Sequence, residues 1–140
     1  MPPAEKGIGS ERAPYAYAVI RVVPRVEREE FVNVGVVLFS RPRRFLGVRF
    51  VLDKGRLRAL WPDLDVDAVK RQLEVMRLVA AGDAAGGAIA GLPAAERFGW
   101  MTAPASTMVQ PGPVHAGLAS DPAEALNELF AELVTLPTPA

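Results

Sequence analysis

His115 is the only histidine in the chain of 140 residues, and a search for chemistry starts there. Ser106 and Asp121 lie near it in sequence, so a Ser/His/Asp set can be drawn. Such triads are recognised by geometry rather than nearness along the chain, and no nucleophile elbow surrounds Ser106. The economical reading is that Ser106 and His115 supply hydrogen bonds that hold a proline-containing segment in place. A second set is Arg21, Glu30, Asn33 and Gly35. Arginine inside a strongly apolar strand and Asn-x-Gly inside another are locally unfavourable choices. Structurally, Asn33 or Gly35 marks a bulge, with Arg21 and Glu30 paired across a hairpin, and this is the favoured reading. Functionally, the same groups converge on a ligand or a partner's backbone. In one version Arg21 is an anion clamp, while Glu30, Asn33 and His115 serve a small hydrolase or transferase. That version needs all four side chains in one cleft.

Two further patterns carry charge. Asp63, Asp65 and Asp67, with Glu74 at the twelfth position, overlap a calcium-loop spacing. The sixth position needs glycine for its sharp turn and holds Ala68. Capping acids at a helix start explain the cluster better. Arg41, Arg43, Arg44, Arg49, Lys54, Arg56 and Arg58 place seven cations within eighteen residues, opposed only by Asp53. Arginine forks suit phosphate oxygens, so Arg41, Arg43, Arg44 and Arg49 are a candidate polyanion-binding set. No RNA-binding aromatic motif accompanies them, and a solvated basic face is the plainer explanation. No catalytic constellation is complete. There is no metal-ligand set, no phosphate-cradling glycine loop and no dinucleotide fingerprint, so no metal and no cofactor is expected.

Something must position these residues, and the period of the apolar pattern says what. Tyr15–Val23, Phe31–Ser40 and Phe45–Asp53 are rich in aromatic and β-branched residues and read as three strands joined by short charged linkers, an antiparallel meander. The second is apolar on both faces and should be covered on both sides. Leu57–Trp61 is one helical turn stopped by Pro62. Val66, Val69, Leu73, Met76 and Ala80 then recur at helical spacing, with Asp65 or Asp67 at the start and Gly82 at the stop. Ala81–Gly91 is almost entirely Ala and Gly, the best candidate for a mobile loop. Phe98–Thr102 reads as a short fourth strand, and Pro104–Gly117 as an irregular segment. Asp121, Pro122 and Glu124 open a last helix as cap, first residue and capping-box partner. Its apolar stripe is Leu126, Leu129, Phe130, Leu133 and Val134. The fold class is α+β, a meander of about three to four strands against two amphipathic helices. Residues 1–14 are expected to be a flexible segment, 15–134 one domain, and 135–140 a frayed tail.

Bulk properties narrow the rest. Half the residues are hydrophobic and 23% charged, as in a globular protein with its own core. The absence of cysteine rules out disulfides and thiol chemistry and suits a reducing cytosol. No apolar run matches a signal peptide or reaches the roughly 20 residues that cross a bilayer, so a cytoplasmic protein without a membrane partner is expected. Formal charge is zero, yet residues 1–58 carry 12 cations and 6 acids, whereas residues 59–140 carry 4 and 10. A basic first half favours a polyanion or an acidic partner unless the two halves satisfy each other.

Tyr17-Ala-Val-Ile-Arg-Val-Val-Pro24 and Glu30-Phe-Val-Asn-Val-Gly-Val-Val-Leu-Phe39 resemble the opening of a bacterial family known as domain of unknown function 3037. The later stretches Phe98-Gly-Trp-Met-Thr, Ser106, Val109-Gln110, Val114-His115-Ala-Gly117, Asp121-Pro122 and Leu129-Phe130 are similar to it too. The resemblance runs from Tyr15 to Val134 and is weakest at the Ala/Gly loop near Gly86. It implies a partner protein more than an enzyme, with a kinase-like protein of the HipA type as the expected partner. It also makes Arg21, Glu30, Asn33, Ser106 and His115 the candidate ligand or partner site. The leading expectation is therefore a non-enzymatic module of a bacterial cytosol that binds another protein through its sheet edge or its proline-containing segment. Nucleic-acid binding and the small enzyme are the alternatives. The oligomeric state is open.

Overall fold

Side chains alternate across a strand, and that alternation sorts this sheet into two covered faces. In the computed structural model, which describes residues 11–136, β1 spans Ala13–Val22, β2 Val32–Ser40 and β3 Phe45–Phe50. β1 pairs antiparallel with β2, and β2 with β3, which is the expected meander. Ala18, Ile20, Val22 and Val37 enter the larger core, whereas Val36 and Leu38 enter a smaller one behind the sheet. β2 is thus buried from both sides.

The proline-containing segment completes the sheet instead of staying irregular. β4 (Val109–Pro111) pairs with Val22 to Ile20, and β5 (His115–Ala119) pairs with Tyr17 to Ala13. The break between them falls at Gly112, Pro113 and Val114. Pro113 has no N–H for the ladder, and Gly112 N donates to Val19 O at 2.7 Å. Five antiparallel strands result, with β3 at one edge and β4 with β5 along the other.

Four helices cover this sheet. α1 (Lys54–Leu60) starts at Asp53, whose carboxylate accepts from Arg56 N. α2 (Val66–Ala81) starts at Asp65, which accepts from Ala68 N at 3.0 Å, and stops at Gly82 in the left-handed region. One of the supposed calcium ligands is therefore a helix cap. α2 buries Val66, Val69, Leu73, Met76, Val79 and Ala80. Each of the Val, Leu and Met side chains contributes about 1.5–3 kcal/mol on burial. α4 (Pro122–Leu133) begins at Asp121, which accepts from Ala123 N and Glu124 N. Leu126, Phe130 and Val134 are buried behind β2 and β3, but Leu133 is 37% exposed and leaves the apolar stripe.

Two more expectations need correction. Phe98–Thr102 is not a strand: Phe98–Met101 is the second half of α3 (Ala94–Met101), and Thr102 is the cap at its end. Phe98 and Met101 are one helical turn apart and both buried, with the Phe98 ring 5.5 Å from that of Phe39. A five-residue apolar window reads equally well at either period. Nor is the Ala/Gly stretch without structure. It folds into two 3-10 turns, Ala84–Gly86 and Ala88–Gly91, after Asp83 accepts from Ala85 N. Arg97 secures them. Its Nε donates to Leu92 O at 2.8 Å, and its Nη1 donates to Val79 O and Ala80 O at 2.9 Å, carbonyls in the last turn of α2. Residues 1–10 and 137–140, where much of the expected flexible segment and frayed tail falls, lie outside the described residues; Ala13 and Pro14 belong to β1.

Candidate functional site

The bulge expected at Asn33 or Gly35 is present. Ile20 faces Gly35, the next pair is Arg21 with Asn33, and Val34 is the extra residue. Gly35 is needed for close approach, because a Cβ there would lie 2.1 Å from Phe50 Cδ1 and 2.7 Å from Arg49 O. Plain alternation in β1 puts Arg21, and the bulge in β2 puts Asn33, on the α4 side of the sheet. There Asn33 Nδ2 donates to Leu133 O at 3.1 Å, capping the end of α4.

Arg21 and Glu30 do not pair across the hairpin, which corrects the expectation. Glu30 is held by Arg28 at 2.6 Å, within the short turn that joins β1 to β2. The Arg21 guanidinium instead lies 4.2 Å from the centre of the Phe31 ring, and its Nε is buried without a hydrogen-bond partner. His115 sits opposite Tyr17 on the same face, with ring centres 5.3 Å apart. Tyr17 is four residues before Arg21, about 13 Å at strand rise. Ser106 is exposed on the loop before β4. Arg21 and Asn33 are thus neighbours, whereas His115 and Ser106 stand apart from them. On the far side of Tyr17, whose ring centre is 6.1 Å away, burial pushes the Tyr15 hydroxyl above its ordinary pKa of 10.0, with smaller pushes from Tyr17, Glu128 and Glu132.

The basic segment is divided among different tasks. Arg43 donates to Ser120 O and to Glu11 O. Arg49 donates to Asn127 Oδ1 at 2.8 Å and lies 4.6 Å from the Phe130 ring centre. Arg56 donates to Val134 O. Cations of the basic half thus meet carbonyls and an amide of the acidic half, and the favourable end of the α4 dipole. Ion pairs between described residues, by contrast, are local: Arg25–Glu27, Arg28–Glu30 and Arg77–Glu74. Arg41 and Arg44 remain exposed in the β2–β3 turn.

The feature that single-residue reasoning missed is a cleft of about 480 Å³ on the opposite face. α2 supplies Gln72, Val75 and Met76, and α3 supplies Trp100 and Met101. The far wall is the segment from Ala103 to Pro111. That wall is fastened: Gln72 Oε1 accepts from Val109 N, Thr107 Oγ1 donates to Val109 O, and Val23 N donates to Met108 O. Gln72 and Thr107 therefore spend hydrogen bonds on architecture. The rest of the lining is apolar, and Val75 and Trp100 are each 43% exposed at its rim. Only the juxtaposition of three separate segments creates this hollow, so no local pattern announces it. The volume falls in the usual range of binding sites, about 300–1,000 Å³.

Among the described residues, no group of three or more metal-ligating side chains is gathered, and no helix is long and apolar enough to cross a membrane. No curated protein and no solved structure matches the chain. A family model described as protein of unknown function (DUF3037) matches residues 17–134. The chain, with this five-stranded sheet between helices, belongs to the DUF3037 family.

Proposed function

We propose that this protein is a non-enzymatic interaction module of the bacterial cytosol whose cleft between α2, α3 and the proline-containing segment takes an apolar segment of a partner protein. The observation that carries the reading is the cleft: a fixed, mainly apolar hollow with a tryptophan half-exposed at its rim. Large apolar groups left in contact with water mark interaction sites, and tryptophan is enriched among the residues that dominate binding. The lining offers no carboxylate, imidazole or amine for acid–base work. The expected partner class is a kinase-like protein of the HipA type.

The test is co-purification and equilibrium binding with that partner class, using wild type, Trp100→Ala, Val75→Glu and Leu118→Ser. Trp100 and Val75 lie at the rim, and Leu118 is 56% exposed on the distant β5 edge, so all three variants should fold. Loss of a rim tryptophan from a binding centre costs at least about 2 kcal/mol, or roughly 30-fold in affinity. Binding that survives Trp100→Ala and Val75→Glu but is lost with Leu118→Ser would overturn the cleft as the site.

A further inference from the structure

Arg21 is the one charged side chain of β1, next to the strand's end, and its surroundings are unusual. The strand carries it onto the α4 side of the sheet, where the bulge pairs it with Asn33. On its other flank it faces Gln110 of β4. The Phe31 ring, itself 46% exposed, lies 4.2 Å from the guanidinium centre. Across from it is Gly112, where even a Cβ would come within 3.4 Å of Nη1. The group is therefore held between an aromatic ring and a backbone segment.

Two carboxylates of the β1–β2 turn are engaged locally. Glu30 is held by Arg28 and Glu27 by Arg25. Asn33 gives its amide to Leu133 O, and Gln110 gives its own to Thr107 O. Arg21 Nε is buried with no partner, while its Nη groups are not closed off in this way. An exposed cation–π contact returns less than a buried, unpaired donor costs. The buried Nε fixes the side chain without serving a ligand, and a guanidinium held in place with unmatched Nη groups is the standing half of a fork-to-oxyanion pair.

We propose that Arg21, backed by Phe31, is a carboxylate-binding site on the open part of the sheet face beside β4, independent of the apolar cleft on the other side. The ligand meets the Nη edge end-on, because Nε is covered. Charge selects carboxylate over phosphate: one guanidinium balances a single negative charge and leaves a dianion half-compensated.

The experiment follows the Arg21 Nε–Hε signal by NMR in the full chain during titration with acetate, with inorganic phosphate, and with chloride at matched ionic strength. Acetate should shift the signal saturably, and chloride should not. Arg21→Lys keeps the charge but lacks the fork; followed through the Asn33 side-chain amide, its acetate affinity should fall about tenfold. Phe31→Leu, which leaves Arg21 in place, should weaken acetate severalfold. Equal shifts with chloride, or Arg21→Lys matching wild type, would overturn the site. Tighter binding of phosphate than of acetate would overturn the assignment to carboxylate.

Discussion

Gly35→Ala is the sharpest test of how β2 and β3 meet. Gly35 faces Phe50 across β2 and β3, and the Phe50 ring lies over the space where a side chain would start. The new methyl would sit 2.1 Å from Phe50 Cδ1, so the ring must swing aside. It would also sit 2.7 Å from Arg49 O, a backbone atom that cannot rotate away. Overpacking of this kind costs about 1–3 kcal/mol. Pulling one carbonyl out of the ladder adds about 1 kcal/mol. Restricting the unfolded chain offsets about 0.4–1 kcal/mol. The net is a loss of roughly 2–3 kcal/mol. With a urea slope of about 2 kcal/mol/M, the unfolding midpoint should fall by about 1–1.5 M. Gly99→Ala is the matched control, since nothing lies within 4 Å of its Cβ position on α3; helix propensity there should raise stability by up to about 1 kcal/mol. A Gly35→Ala protein within about 0.5 kcal/mol of wild type would refute this account of the close approach of β2 and β3 at Gly35.

Further outcomes follow from the same contacts. Arg97→Met keeps the stem but removes three hydrogen bonds to carbonyls; it should cost about 2–3 kcal/mol in urea unfolding and raise hydrogen exchange in residues 82–92. Asn33→Ala should cost about 1 kcal/mol, and Asn33→Asp more, because a carboxylate would face Leu133 O at the negative end of α4. The raised Tyr15 pKa means that folding favours the neutral hydroxyl. Its contribution is full below about pH 10 and is lost as pH rises through the higher folded value. Unfolding between pH 9 and 11 should show a smaller alkaline decline in Tyr15→Phe than in wild type.

The meander was legible because β1, β2 and β3 carry apolar residues at a period that helices do not share, and the ends of α2 and α4 because Asp65, Gly82, Asp121 and Pro122 are punctuation with a local mechanism. Asn33 and Gly35 announced a bulge for the same reason: the distortion is written in the residues that suffer it. Tertiary features were not legible. Phe98 and Met101 suit either period until the core chooses. The fourth and fifth strands depend on β1 offering a free edge, which overrides the prolines around them. Arg97 gives no sign in sequence that it clasps a turn 18 residues away, and the cleft exists only once α2, α3 and the segment after them are assembled. Arg21 stood out by type, but its lack of a partner is a fact of packing.

Hydrogen–deuterium exchange of the protein with and without its bound partner tests the central claim most directly. Slowed exchange should appear in residues 72–76 and 100–111, the walls of the apolar hollow. A footprint confined to the arginine-bearing turn at 41–44 and to β3, with the hollow exchanging as fast as in the free protein, would contradict it.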